Sequence, residues 1–131
     1  MSDEQAKAQT AAAEEVTIFD KIVAKEIPAT IIHEDDLCLA FRDINAVAAT
    51  HFLVIPKNRD GLSQLQFAEE RHAALLGHMM VTAAKVAKQE GLEDGFRLVI
   101  NDGKNGCQSV YHLHIHVIGG QQLSWPPGVG N

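Results

Sequence analysis

Near the carboxyl end of the 131-residue chain, His112, His114 and His116 alternate with Leu113, Ile115 and Val117. Successive side chains of a strand point to opposite faces, so this spacing predicts three imidazoles on one face, about 6.5–7 Å apart, and aliphatics on the other. Packing alone is a poor use of three parallel rings, and two chemistries use them well. Imidazoles at i and i+2 can share a Zn²⁺, with three nitrogens and a water completing a catalytic site. Alternatively, one neutral ring nitrogen attacks an electrophile while its neighbours set its tautomer and steady the leaving atom.

The run Gly103-Lys104-Asn105-Gly106-Cys107-Gln108-Ser109 leads into this strand. Its glycines permit close backbone approach, and Gln108 and Ser109 add donors beside the histidines. Exposed amides in such a loop form a nest for a phosphoryl oxygen, which a metal site does not need. The loop therefore favours nucleophilic attack on phosphorus, with Ser109, Gln108 and loop amides holding the oxygens. Cys107 is close to this chemistry, but better nucleophiles stand beside it. Cys38, in an apolar run, reads as a buried small hydrophobe.

The elements that must position these groups follow from the pattern. Thr17 with Asp20 resembles a capping box, and Ile18, Phe19, Ile22 and Val23 recur at helical spacing, predicting a short helix stopped by Pro28. Strands are predicted over 30–34, 37–42 and 51–55, the first two separated by the turn Asp35-Asp36. Between residues 67 and 90 the set His72, Leu75, Leu76, Met79, Ala83, Val86 and Ala87 marks the principal helix, with Gly91 as its stop. Residues 96–101 and 111–118 supply two more strands, and Trp125-Pro126-Pro127 a stiff, extended tail. Helices do not alternate with strands, so the expected class is α+β with a five-stranded, mainly antiparallel sheet, one long helix and one short one.

Length bounds this to one domain, residues 16–131, behind a flexible polar tail at 1–15. No apolar run approaches the ~18 residues of a membrane span, and the first residues carry no apolar signal core, so a cytoplasmic location is expected. The formal charge of −6 is localised: nine acids against three bases within residues 1–36, and balance beyond. Neither part offers the basic surface that broad nucleic-acid binding requires.

The string from Gly106 to Gly120 resembles the histidine triad (HIT) family signature, His-φ-His-φ-His-φ-φ with φ apolar. The likeness extends over Thr17-Ile18-Phe19, Glu26-Ile27-Pro28, Ala40-Phe41, Asp43-Ile44, the run from Thr50 to Lys57, and Trp125-Pro126-Pro127-Gly128. That closing Trp-Pro-Pro-Gly is similar to the Hint branch rather than to the branch cleaving dinucleoside polyphosphates. The resemblance implies a homodimer with a ten-stranded sheet, located in the cytoplasm with access to the nucleus. It also implies hydrolysis of purine nucleoside phosphoramidates without a cofactor or metal. His114 would be the nucleophile, His112 and His51 a relay that orients it, and His116 a contact to phosphate or leaving group. Ser109 would touch the leaving amine, with Gln108, the Cys107 backbone and Asn101 near the phosphate. Asp43 would accept from the ribose hydroxyls, Phe19, Ile22, Phe41, Ile44 and Leu53 would wall the base, and Trp125 would approach the partner subunit's site.

Two positions depart from the Hint pattern: Arg42 stands where histidine is common, and Cys107 where glycine is usual. Residues 58–61 look like a lengthened surface loop. His33, His72 and His78 lie outside the motif and are read as structural. Two alternatives stay open: a zinc hydrolase using the same histidines, and a nucleotide-binding module without turnover.

Overall fold

A computed structural model describes residues 15–130, so all of the expected tail except Glu15 lies outside the described residues. Five strands form one sheet, each antiparallel to its neighbours: β1 (Ile31–Glu34), β2 (Cys38–Arg42), β3 (Thr50–Pro56), β4 (Phe96–Val99) and β5 (Ile115–Gly119), in the order β1-β2-β3-β5-β4. The short helix α1 (Ile18–Val23) and the long helix α2 (Ala73–Gln89) complete the α+β architecture expected from the pattern.

Alternation along the strands sorts the apolar residues to two faces. Cys38, Ala40, Phe52, Val54, Ile115 and Val117 pack with Met79, Ala83, Val86 and Ala87 of α2. Leu39, Phe41, Leu53 and Ile55 pack under Phe19 and Ile22 of α1. Complete burial of a side chain such as Phe52 contributes about 2–3 kcal/mol relative to exposure. The histidines share the second face, which is therefore apolar away from the cleft and chemical only at one end: in the β3–β5 register Leu53 faces His116.

The element boundaries differ from the sequence expectation for identifiable reasons. Helix α2 starts at Ala73 rather than near Phe67, because Glu69 is extended and forms a reciprocal capping box with His72, after a separate 3₁₀ turn at Leu65–Phe67. Helix α1 does have the Thr17–Asp20 capping box, but ends at Val23, where Lys25 turns the chain left-handed (φ 63°) before Pro28 is reached. The tail bends at residues 125–128 instead of continuing extended, and the Arg97 guanidinium ties it to β4 by donating to Ser124 O at 2.9 Å.

Candidate active site

The histidine segment joins the sheet only at Ile115, so His112 and His114 precede the strand that was expected to carry all three rings. Leu113 N–H donates to Leu62 O at 2.9 Å, drawing the chain toward a loop instead of a strand partner. Arg59 braces the same place by donating to Tyr111 O at 2.9 Å, so residues 58–61 are a support of the histidine segment and more than a surface loop. Leaving the sheet at this point frees the His112 carbonyl, and His114 Nδ1–H donates to it at 2.7 Å. A neutral ring with its proton on Nδ1 carries its lone pair on Nε2. That nitrogen is the one left to the cleft that His114 lines. The ring is wedged edge-on between Phe19 and His116, each centroid 5.0 Å away.

A second set of bonds fixes His116. Val47 N–H donates to His51 Nδ1 at 3.1 Å, so neutral His51 carries its proton on Nε2 and donates it to His116 Nδ1 at 2.9 Å. His116 in turn holds its own proton on Nε2. The cleft thus meets a lone pair on His114 and an N–H on His116. Asp43 Oδ2 lies 3.3 Å from His51 Nε2, while its Oδ1 accepts Asn45 N–H at 2.8 Å.

Burial keeps this set uncharged. Desolvation is the largest influence on all four histidines and lowers each below the ordinary imidazole value, His116 to about 4 with help from the neighbouring His114 and His51 rings. The opposing pull of the Asp43 charge on His51, His114 and His116 is smaller.

The cleft encloses about 330 Å³, a volume suited to a small ligand. Phe19, Ile22, Phe41, Ile44 and Leu53 give it an apolar wall, and Asp43, Ser109, His114 and His116 its polar end. Other predicted groups stand elsewhere. The His112 ring is buried and turned from His114, donating through Nε2 to Pro56 O at 2.8 Å. Its Nδ1 has no hydrogen-bond partner, the Asp20 carboxylate lying 3.3 Å off. The carbonyl of His112, not its ring, orients His114, which corrects the expected ring relay. Gln108 accepts Gly103 N–H at 2.9 Å and donates to Ser63 O at 2.7 Å and Val110 O at 2.9 Å, so its side chain braces the loop. Asn101 and Cys107 do not line the cleft, and Cys107 is exposed with φ 62°. Arg42 borders the cleft, but its guanidinium pairs with Glu90 at 2.6 Å.

Asp43, His51 and His116 bring three potential ligand atoms within 4.8 Å of one another. They fit a zinc ion poorly: with Val47 N–H donating to its Nδ1, His51 must keep its proton on Nε2, the nitrogen that would have to coordinate.

The HIT domain family matches residues 24–123. A "14 kDa zinc-binding protein" of Zea mays is 59% identical over 128 residues, 98% of this chain and 100% of that protein. "Adenylylsulfatase HINT1" of Arabidopsis thaliana is 58% identical over 127 residues, 97% of this chain and 86% of that one. Among solved structures, a HIT family hydrolase from Legionella pneumophila superposes with a TM-score of 0.83 at 45% identity, over 86% of this chain and 100% of that one. The signature, the five-stranded sheet and these relatives agree: the chain belongs to the HIT domain family and is a hydrolase of that family.

Proposed function

We propose that the protein hydrolyses the P–N bond of purine nucleoside phosphoramidates, such as adenosine 5′-monophosphoramidate, through a nucleotide carried on His114. The observation that carries this reading is the 2.7 Å bond from His114 Nδ1–H to His112 O, which fixes the attacking lone pair on Nε2 without a metal ion. His114 Nε2 attacks phosphorus, the P–N bond of the substrate breaks, and the amine departs with a proton drawn from solvent. His116 Nε2–H and the Ser109 hydroxyl donate hydrogen bonds at that end of the cleft, where charge changes during the displacement. Water then attacks the phosphorus, the bond to His114 breaks, and a proton returns to solvent. Asp43 serves the ribose hydroxyls, and Phe19, Ile22, Phe41, Ile44 and Leu53 hold the purine.

The name of the Arabidopsis relative, an adenylylsulfatase, supports an adenylyl group as the part transferred. The same attack serves a sulfate or an amine as leaving group. A second copy fits this reading: β4 is an edge strand with Phe96 exposed, so pairing β4 with its counterpart would give a ten-stranded sheet. Trp125, 84% exposed in the single chain, would then approach the partner's cleft.

The test is intact-mass analysis after mixing with adenosine phosphoramidate. Wild-type protein should gain one acid-labile nucleotidyl group. His114→Ala should gain none and lose at least ~10³-fold in kcat, as expected on removing a nucleophile. Retained turnover in a folded His114→Ala protein refutes the reading.

A further inference from the structure

We propose that His33, Asp35, Cys38 and His78 form a binding site for a zinc-type divalent cation, outside the catalytic cleft, that staples the β1–β2 turn to helix α2. Asp35 Oδ1 accepts Leu37 N–H at 2.8 Å and Cys38 N–H at 2.9 Å, which fixes the turn and aims Oδ2 at the helix. Three side-chain donors converge on that one oxygen: His33 Nε2 at 2.8 Å, His78 Nε2 at 2.8 Å and Cys38 Sγ at 3.6 Å. The two imidazole N–H groups use both lone pairs of that oxygen, and the single Cys38 thiol proton is left between it and Thr82 Oγ1 at 3.7 Å. One cation can take the place of these protons at the point where the four groups meet.

The donor set is two imidazoles, a thiolate and a carboxylate, a combination that selects Zn²⁺ over Mg²⁺ or Ca²⁺. The ligand atoms of His33, Asp35 and Cys38 already lie within 4.8 Å of one another. Bond lengths of about 2.0–2.3 Å in a tetrahedron put oxygen and sulfur about 3.6 Å apart and oxygen and nitrogen about 3.4 Å apart. The Asp35–Cys38 separation needs no change, and each imidazole must withdraw by roughly half an ångström from Asp35. His78 reaches only Asp35 and stands outside that compact group of three, so its partly exposed ring must also swing toward Cys38 and His33 to become the fourth ligand. The site is a bowl. Cys38 closes its floor at 0% exposure, while the side chains of His33, Asp35 and His78 are 26%, 29% and 37% exposed and leave an entry from solvent. Binding displaces the Cys38 thiol proton to solvent and shifts the His33 and His78 ring protons from Nε2 to Nδ1 by exchange with solvent, which frees both Nε2 lone pairs and leaves the four groups with the dication formally neutral. Unlike His51, neither ring has an Nδ1 that accepts a backbone N–H bond among the described residues. Thr82, one turn after His78 on α2, also contacts Cys38 Sγ at 3.7 Å and holds it toward the cluster.

Cobalt(II) is the probe, because a thiolate ligand adds a near-ultraviolet charge-transfer band and a tetrahedral site gives intense visible bands. The full-length protein should take up one equivalent with both features, zinc should displace it, and the melting temperature should rise with zinc concentration. Cys38→Ser should lose the thiolate band. His78→Ala, a change at a partly exposed position that leaves folding and hydrolysis intact, should weaken affinity by at least about tenfold, since losing even a group that merely supports a ligand costs that much. His116→Gln should bind as wild type. Absence of uptake at micromolar metal overturns the proposal. So does uptake that lacks the thiolate band and disappears in His116→Gln, which would place the ion in the catalytic cleft.

Discussion

Holding four histidines neutral has a cost that appears as pH-dependent stability, and His116 allows its size to be worked out. Folding lowers this ring from 6.5 to about 4, with burial first among the causes and the His114 and His51 rings next. Between those values the unfolded chain binds a proton that the native protein refuses, so stability rises with pH there. The contribution is fully present above about pH 6.5 and is lost as pH falls toward 4. At pH 4.5 the loss from this ring alone amounts to about 2.5 kcal/mol, a large share of the ~5–15 kcal/mol of a typical domain. His51, His112 and His114 are shifted in the same direction and add to it. Glu34 is held at about 2 by Lys25 and Lys57, but a carboxylate of this kind loses its stabilisation only below its ordinary value of 4.5. The window from 6.5 to 4.5 therefore belongs to the histidines. Urea unfolding of wild type and His116→Gln at steps from pH 7.5 to 4.5 measures the effect, glutamine still offering an oxygen to His51 Nε2–H. Wild type should lose stability more steeply, by up to about 1.4 kcal/mol per pH unit. Parallel slopes for the two proteins, or a wild type no less stable at pH 4.5, would refute the claim that burial holds His116 neutral.

Three further outcomes follow from the loop and the cleft mouth. At Gly106 a Cβ would stand 2.5 Å from Asp102 O and 2.7 Å from Asp102 N, backbone atoms that cannot swing aside. Gly106→Ala should cost about 1–3 kcal/mol in urea unfolding and on the order of 10²-fold in kcat/KM through displacement of the Ser109 loop. Cys107 adopts φ 62° with an exposed side chain. Cys107→Gly should leave hydrolysis unchanged and raise the unfolding free energy measured in urea by less than about 1 kcal/mol, relief of left-handed strain being partly offset by a more flexible unfolded chain. Asp43→Asn should raise KM by about tenfold or more with a smaller effect on kcat, the pattern of a lost contact that is equal in ground and transition states; an unchanged KM would remove Asp43 from the ribose site.

What the sequence revealed and what it hid divide along the range of the interactions concerned. Period-two alternation sorted Ile115 and Val117 into the core and put His116 on the opposite face, because burial in a strand is decided locally by the pleat. The Thr17–Asp20 capping box was legible for the same reason. The feature that fixes the His114 lone pair on Nε2 was hidden, since it depends on Leu113 finding Leu62 O in a loop about fifty positions earlier and on Arg59 holding Tyr111 O. Those bonds pull the chain out of the sheet and turn a backbone carbonyl, the one group a residue name does not advertise, onto the ring. The convergence on Asp35 was half visible: His33, Asp35 and Cys38 lie within six residues, but His78 arrives from a helix 43 positions beyond Asp35. In both places the missing information is a contact between distant segments that decides which atom of a known residue is offered. The tautomers at the catalytic cleft and the donors gathered on Asp35 are therefore consequences of tertiary closure, and substitution of Arg59, which braces Tyr111 O and also pairs with Asp20, should lower activity through the placement of the histidine segment.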